Sequence, residues 1–343
     1  MYKGKKVVDV HGHVSTPVQF RAFAMNIVIG APSGRSGRLT MSNELMATAQ
    51  EPHVRRMDEY NIDVQFISPR PVAMMLYERP HVVEKWTSTT NDVIHQACTM
   101  YPDRFRGIAQ LPQQTGKDTS NCLGELERCV GELGFVGATV SPDPGGERLT
   151  PGMDDEYWFP LYDKAQSLGA TLVVHGTVTR DPRSDSQMNS LFEQTLATEI
   201  LSRGDVFAQF PNLKIVVVHC GGAPTRFLPA HRSSGQAGGG QIGGSVARDD
   251  ADAAADLTNN LFFDTCAYDK WYLSVHFNQK DPKQFLFGTE TPGSGTGTLN
   301  PETGRPSDDV LPIIDSLDIL TQEQKTSILC DRVLDAFPLY KGR

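Results

Sequence analysis

Two histidines one residue apart, His11 and His13, follow the apolar run Val7-Val8-Asp9-Val10. Side chains two apart on an extended backbone point the same way, so both imidazoles can reach one point. Imidazoles converging at a strand end outline a metal site; the plainer alternative is a pair of exposed loop histidines. Other apolar runs end comparably. Run 64–68 leads to Arg70, 171–174 to His175, 214–218 to His219, 261–265 through Asp264, and 285–288 to Glu290. A lone strand-end histidine is more often structural. Four of the nine histidines at such ends, with a carboxylate after the last run, favour a mononuclear metal centre. Imidazole nitrogens with one carboxylate suit Zn2+, with Mn2+ or Fe2+ as alternatives. A second metal would need a bridging ligand, and run 135–140 ends in Ser141 rather than Lys or Glu.

These side chains can meet only if the runs end on one face. With 105–111, the runs make eight candidate strands. Apolar residues at helical spacing predict helices over 43–60, 81–101, 119–133, 157–168, 189–207 and 321–336. Gly134 suits a helix C-cap, and Thr321 with Gln324 fits a capping box. Strands alternating with helices predict an α/β fold, a (β/α)8 TIM-like barrel in a single domain over 1–343 with loop insertions. A doubly wound open sheet is the alternative, but no Gly-x-Gly-x-x-Gly follows the first strand. The stretches 20–38 and 233–244 read as loops, the second, with Gly238-Gly239-Gly240, as a mobile one.

Composition narrows the function. Hydrophobic content of 39% and charged content of 21% are those of a soluble globular protein, and no apolar run approaches a membrane span. The basic start Met1–Lys6 shows no apolar signal segment, and six scattered cysteines form no Cys-x-x-Cys pair. A reducing, cytoplasmic setting is expected. A net charge of −9 argues against nucleic acid, but not against a small anionic substrate near a metal. Ser15, Ser68 and Ser141 lack the Gly-x-Ser-x-Gly context of a serine hydrolase. His53 and His231 could approach the mouth, whereas His81, His95 and His276 read as structural or exposed.

His11-Gly12-His13, His175, Val218-His219-Cys220-Gly221-Gly222 and the terminal acid Glu290, in this order and spacing, resemble the amidohydrolase superfamily. The likeness is strongest to its amidohydrolase-2 branch of decarboxylases and hydratases, and covers about 7–337. Within the branch the pattern is nearest that of the 4-oxalomesaconate hydratases. Ser68-Pro69-Arg70, Glu125–Val130, Pro142–Gly146, Phe263–Cys266 and Asn300–Gly304 carry that likeness, as does Glu rather than Asp at 290. The stretches 177–187 and 291–295 depart from it. The resemblance implies a Zn2+ site of His11, His13, His175 and Glu290, with His219 in proton transfer. The expected reaction is hydration of a C=C bond in a small unsaturated oxo-carboxylic acid from aromatic catabolism. Glu290 would act as base and Arg70 would grip a substrate carboxylate by its two-pronged guanidinium. Nonoxidative decarboxylation, and hydrolysis of a lactone or amide, are the alternatives. A homodimer pairing through surface helices is the expected assembly.

Overall fold

In the computed structural model, which describes residues 1–30, 39–224 and 256–342, eight strands follow one another around a barrel. They are β1 (Val8–His13), β2 (Val64–Ser68), β3 (Phe105–Ala109), β4 (Gly137–Val140), β5 (Thr171–Val174), β6 (Ile215–Val217), β7 (Leu261–Asp264) and β8 (Phe285–Leu286). Each pairs in parallel with the next. Val10 N–H donates to Phe287 O at 2.8 Å and Glu290 N–H to His11 O at 2.7 Å, linking the end of the last strand back to the first. This is the nearly closed (β/α)8 barrel that the alternating pattern predicts.

The period of two decides what faces inward. Val8, Val10, Val64, Phe66, Ile108, Val173, Val216, Phe262 and Leu286 fill the barrel. Their alternates, such as Ile67, Leu172, Val174 and Ile215, pack outward in the larger cluster shared with the helices. Phe337 and Tyr340 close the N-terminal end, with ring centroids 4.8 Å and 5.2 Å from that of Phe66. Thr171 Oγ1 at the start of β5 donates to Ala336 O at 2.6 Å. Each buried Val, Leu or Phe contributes roughly 1.5–3 kcal/mol, so this core supports the barrel without help from a metal.

The helices are α1 (Val18–Gly30), α2 (Asn43–Glu59), α3 (Pro80–Met100), α4 (Leu123–Gly131), α5 (Phe159–Leu168), α6 (Ser186–Arg203), α7 (Val206–Gln209) and α8 (Lys270–Gln279), with short helices Leu311–Asp315, Gln322–Thr326 and Val333–Ala336 after β8. Several differ from expectation. The stretch expected as a loop from residue 20 is largely α1, anchored by buried Phe20, Phe23 and Ile27; the rest of that stretch, and all of 233–244, lie outside the described residues. The helix expected over 189–207 starts earlier, where Asp185 caps it by accepting from Met188 N–H, and breaks at Gly204. The helix expected over 321–336 keeps its capping box but contains a π-helical turn, Ser327–Asp331. Among the described residues no helix is long and apolar enough to cross a membrane, and all six cysteines are free.

Candidate metal centre

One extra residue in β1 creates the site. Asp9 pairs with Gln65, but Gly12 pairs with Ile67, so Val10 and His11 together oppose Phe66. Val8 and Val10 face inward, and strict alternation would send His11 and His13 outward. The bulge resets the parity and turns both histidines into the barrel. Gly12 is required here, since a Cβ at that position would lie 2.3 Å from Gln65 Cδ. Asp9 stays on the outer side, where it accepts from Gln65 Nε2 at 2.7 Å, Thr289 Oγ1 at 2.6 Å and His11 N–H at 2.9 Å. Burial pushes its carboxyl up to about 6.

His175 enters along the inward side of β5. His219 and Cys220, just past β6, both adopt left-handed backbone, with φ of 52° and 58°. Such residues cost about 1–3 kcal/mol each, and the surroundings offset this. Cys220 N–H donates to Asp264 Oδ1 at 3.0 Å, and the buried Lys280 Nζ donates to Cys220 O at 2.6 Å. Glu290 is likewise left-handed, at φ 61°. The four imidazoles meet, with centroids 4.9–5.6 Å apart.

Every imidazole directs Nδ1 to a protein acceptor. His11 Nδ1 meets Asp264 Oδ2 at 2.6 Å, His175 Nδ1 meets Gly176 O at 2.6 Å, and His219 Nδ1 meets Gln194 Oε1 at 3.0 Å. His13 Nδ1 meets Ser68 Oγ at 2.8 Å, and that hydroxyl donates onward to Gly12 O at 3.0 Å. Carbonyl and carboxylate oxygens only accept, so the Nδ1 atoms carry the protons and the Nε2 lone pairs face inward. The Nε2 atoms of His11, His13 and His175 are buried with no hydrogen-bond partner. Leaving three acceptors so costs free energy unless something fills the gap, and orientation of Nδ1 by the protein is how ligating histidines are held. The ligand atoms of His11, His13, His175 and Glu290 lie within 4.8 Å of one another, so this set fits one cation. His11, His219 and Cys266 form a second such group, but burial pushes the Cys266 thiol well above its ordinary value, which disfavours the thiolate that ligation needs.

Glu290 completes the ring. Its Oε2 accepts from Tyr268 Oη at 3.0 Å and Ser294 Oγ at 2.6 Å. Its Oε1 lies 3.5 Å from His13 Nε2 and 3.7 Å from His219 Nε2. Burial works to raise its pKa, yet the contacts with His13 and His219 hold it well below the usual carboxylate range. Burial lowers His175 well below its ordinary value and His13 to about 4, which favours the neutral ligand form. Burial also acts to lower His11, but the Asp264 carboxylate outweighs it and raises the ring.

Arg70, the sequence-predicted anchor, lies beside this ring and donates from Nη2 to Pro292 O at 3.2 Å. His53 does not reach the mouth: it is buried behind β2, with Nε2 on Gln65 Oε1 at 2.6 Å and Nδ1 3.1 Å from Ser15 Oγ. His276 is buried against Lys280, His95 meets Leu133 O and His81 is exposed; His231 lies outside the described residues. Gln194, Tyr268 and Ser294 orient these side chains and had no sequence signal of their own, and Ser68, noted within Ser68-Pro69-Arg70, had none for its place behind His13. Asp264 was visible as a strand-end acid, but its place behind His11 was not.

The sequence profile of the amidohydrolase family matches residues 8–331. The chain belongs to the amidohydrolase family. It is therefore an enzyme, of a metal-dependent family. It is 33% identical over 334 residues to a 2-keto-4-carboxy-3-hexenedioate hydratase of Sphingobium sp., covering 93% of this chain and 92% of the relative. A 4-oxalomesaconate hydratase of Rhodopseudomonas palustris has a similar crystal structure, with a TM-score of 0.83, 28% identity, and coverage of 97% and 96%. A dihydroxybenzoic acid decarboxylase of Polaromonas sp., solved with bound manganese and 2-nitroresorcinol, shares the fold at a TM-score of 0.65 and 20% identity, covering 98% and 97%.

Proposed function

We propose that the protein is a metal-dependent hydro-lyase. It adds water across the C=C bond of a small unsaturated oxo-carboxylic acid from aromatic-compound breakdown. His11, His13, His175 and Glu290 are the metal ligands in this reading, and Zn2+ is the ion. The observation that carries the proposal is the convergence of three partnerless Nε2 lone pairs with Glu290 Oε1. Three nitrogens and one oxygen suit Zn2+ better than the oxygen-rich sets that Mn2+ prefers. The hydratase names of the Sphingobium and Rhodopseudomonas relatives support the reaction and substrate class.

When bound, the ion supplies Lewis acidity, polarising a carbonyl oxygen and lowering the pKa of water at the site towards about 7. The side chains do the rest. Glu290, pinned through Oε2, turns Oε1 to the centre and accepts the proton of the attacking water. His219 directs Nε2 inward because Nδ1 is engaged by Gln194; this nitrogen, 3.7 Å from Glu290 Oε1, takes the water's proton from Glu290 and delivers it to the carbon next to the carbonyl. Arg70 holds a substrate carboxylate, using guanidinium N–H groups beyond the one given to Pro292. The test is metal analysis of the purified protein followed by a panel of unsaturated oxo-acids. Loss of conjugated absorbance without CO2 is expected. Stoichiometric CO2 would replace hydration with nonoxidative decarboxylation, and turnover confined to lactones or amides would replace it with hydrolysis.

A further inference from the structure

A cavity opens beside Arg70 at the ends of β1, β2 and β3. Val14, Phe20, Arg21, Arg70, Thr90 and Gln110 are among its lining residues. Its chemistry is uneven. Phe20 stacks on Trp86 with centroids 4.5 Å apart, giving an apolar wall. Two guanidinium groups face the same space. Arg21, on α1, forms no hydrogen bond or ion pair among the described residues. The acid acting on Arg70 is Glu290, whose two oxygens are already engaged by the site. Burial first, and then the charge of Arg21, lower the Arg70 pKa from its ordinary value. Thr90 Oγ1 and Gln110 Oε1, on residues only 3% and 0% exposed, have no hydrogen-bond partner. Gln110 is held in place through Nε2, which donates to Met74 O at 2.8 Å and Thr87 Oγ1 at 3.0 Å.

Two cations beside a low-dielectric wall, with a buried hydroxyl at hand, form an arrangement that an anion relieves. We propose that this cavity binds a second carboxylate of the substrate through Arg21 and Thr90 Oγ1, beside the carboxylate that Arg70 holds. One carboxylate arm then lodges under α1, with the reacting carbons near Glu290. Arg21 determines specificity: it separates polycarboxylates from monocarboxylic oxo-acids of similar length. Gln110 Oε1, an acceptor near the cations, takes a hydroxyl or protonated group of the same arm rather than its charge.

This inference rests on the hydratase reading for the identity of the substrate, but its test does not depend on turnover. Calorimetry on the metal-loaded protein would compare tricarballylate, glutarate and butyrate as probes. Wild type is expected to bind tricarballylate and glutarate at least tenfold more tightly than butyrate. Arg21→Gln should weaken the first two roughly tenfold or more, the scale of a lost charge-assisted contact, with butyrate unaffected. Thr90→Val should weaken them less. Arg21 is exposed on a surface helix, so the variant should fold; unchanged metal content and melting temperature check this. Equal binding of the polycarboxylates by wild type and Arg21→Gln overturns the subsite even if the enzyme hydrates. Selective loss in Arg21→Gln upholds it even if the reaction proves to be decarboxylation.

Discussion

Shortening Glu290 by one methylene tests the proposed base most directly. In Glu290→Asp the carboxylate retracts by about 1.5 Å, one C–C bond. Oε1 now lies 3.5 Å from His13 Nε2 and 3.7 Å from His219 Nε2, so each gap widens to about 5 Å. The contacts of Oε2 with Tyr268 at 3.0 Å and Ser294 at 2.6 Å are lost in the same movement. The left-handed backbone of Glu290 and its N–H bond to His11 O leave the main chain little room to follow. Misplacing a reacting group by 1 Å costs roughly a hundredfold in rate, or about 2.7 kcal/mol of barrier. Glu290→Asp should therefore retain metal but fall to about 1% of wild-type kcat/KM or below, and Glu290→Gln should lose nearly all activity. The assay is kcat/KM against pH for all three proteins, with metal content measured in each. If Glu290 only balances the charge of the ion, Asp will substitute with a small loss and the acidic limb of the profile will persist. A fully active, metal-replete Glu290→Asp enzyme would refute the role of base.

Three further outcomes follow from the geometry. His175→Ala should lose most bound metal while circular dichroism stays that of a folded barrel, because the core is built from apolar side chains apart from the site; full metal content in that variant would remove His175 from the ligand set. Lys280→Met leaves Cys220 O without its 2.6 Å donor and should destabilise the protein by about 1–3 kcal/mol in urea unfolding, with activity falling as the turn carrying His219 relaxes. Burial, with Asp143 nearby and Arg148 opposing, raises Glu193 from 4.5 to about 7. Between those values the folded chain keeps a proton that the unfolded chain releases, so this contribution is complete below 4.5 and is lost as pH rises through 7. Glu193→Gln should then raise the unfolding free energy at pH 8 relative to pH 4, by at most about 3 kcal/mol and less where water screens the carboxyl. Equal gains at both pH values would show that the raised pKa is not what destabilises.

The sequence alone determined the barrel and most of the residues that ring the candidate metal centre, because both depend on local regularities. Apolar runs of strand length, punctuated by Gly and Pro, marked the eight strands in order, and residues directly after a strand must lie at its C-terminal end. His175, His219 and Glu290 were placed by that logic alone. Tertiary structure decided how those residues become a site. The bulge opposite Phe66 depends on the register between β1 and β2, which a single strand does not encode. Without it, the His11-Gly12-His13 motif would face the helices. Three of the four tautomers were equally hidden, because only His175 finds its Nδ1 acceptor next door, at Gly176 O. Asp264 lies 253 residues from His11, Ser68 lies 55 from His13, and Gln194 lies 25 from His219. Tyr268, 22 residues before Glu290, reaches it only once β7 and β8 lie side by side, whereas Ser294 is a local partner four residues on. Local pattern sets which residues stand at the mouth; long-range packing sets which lone pairs face it.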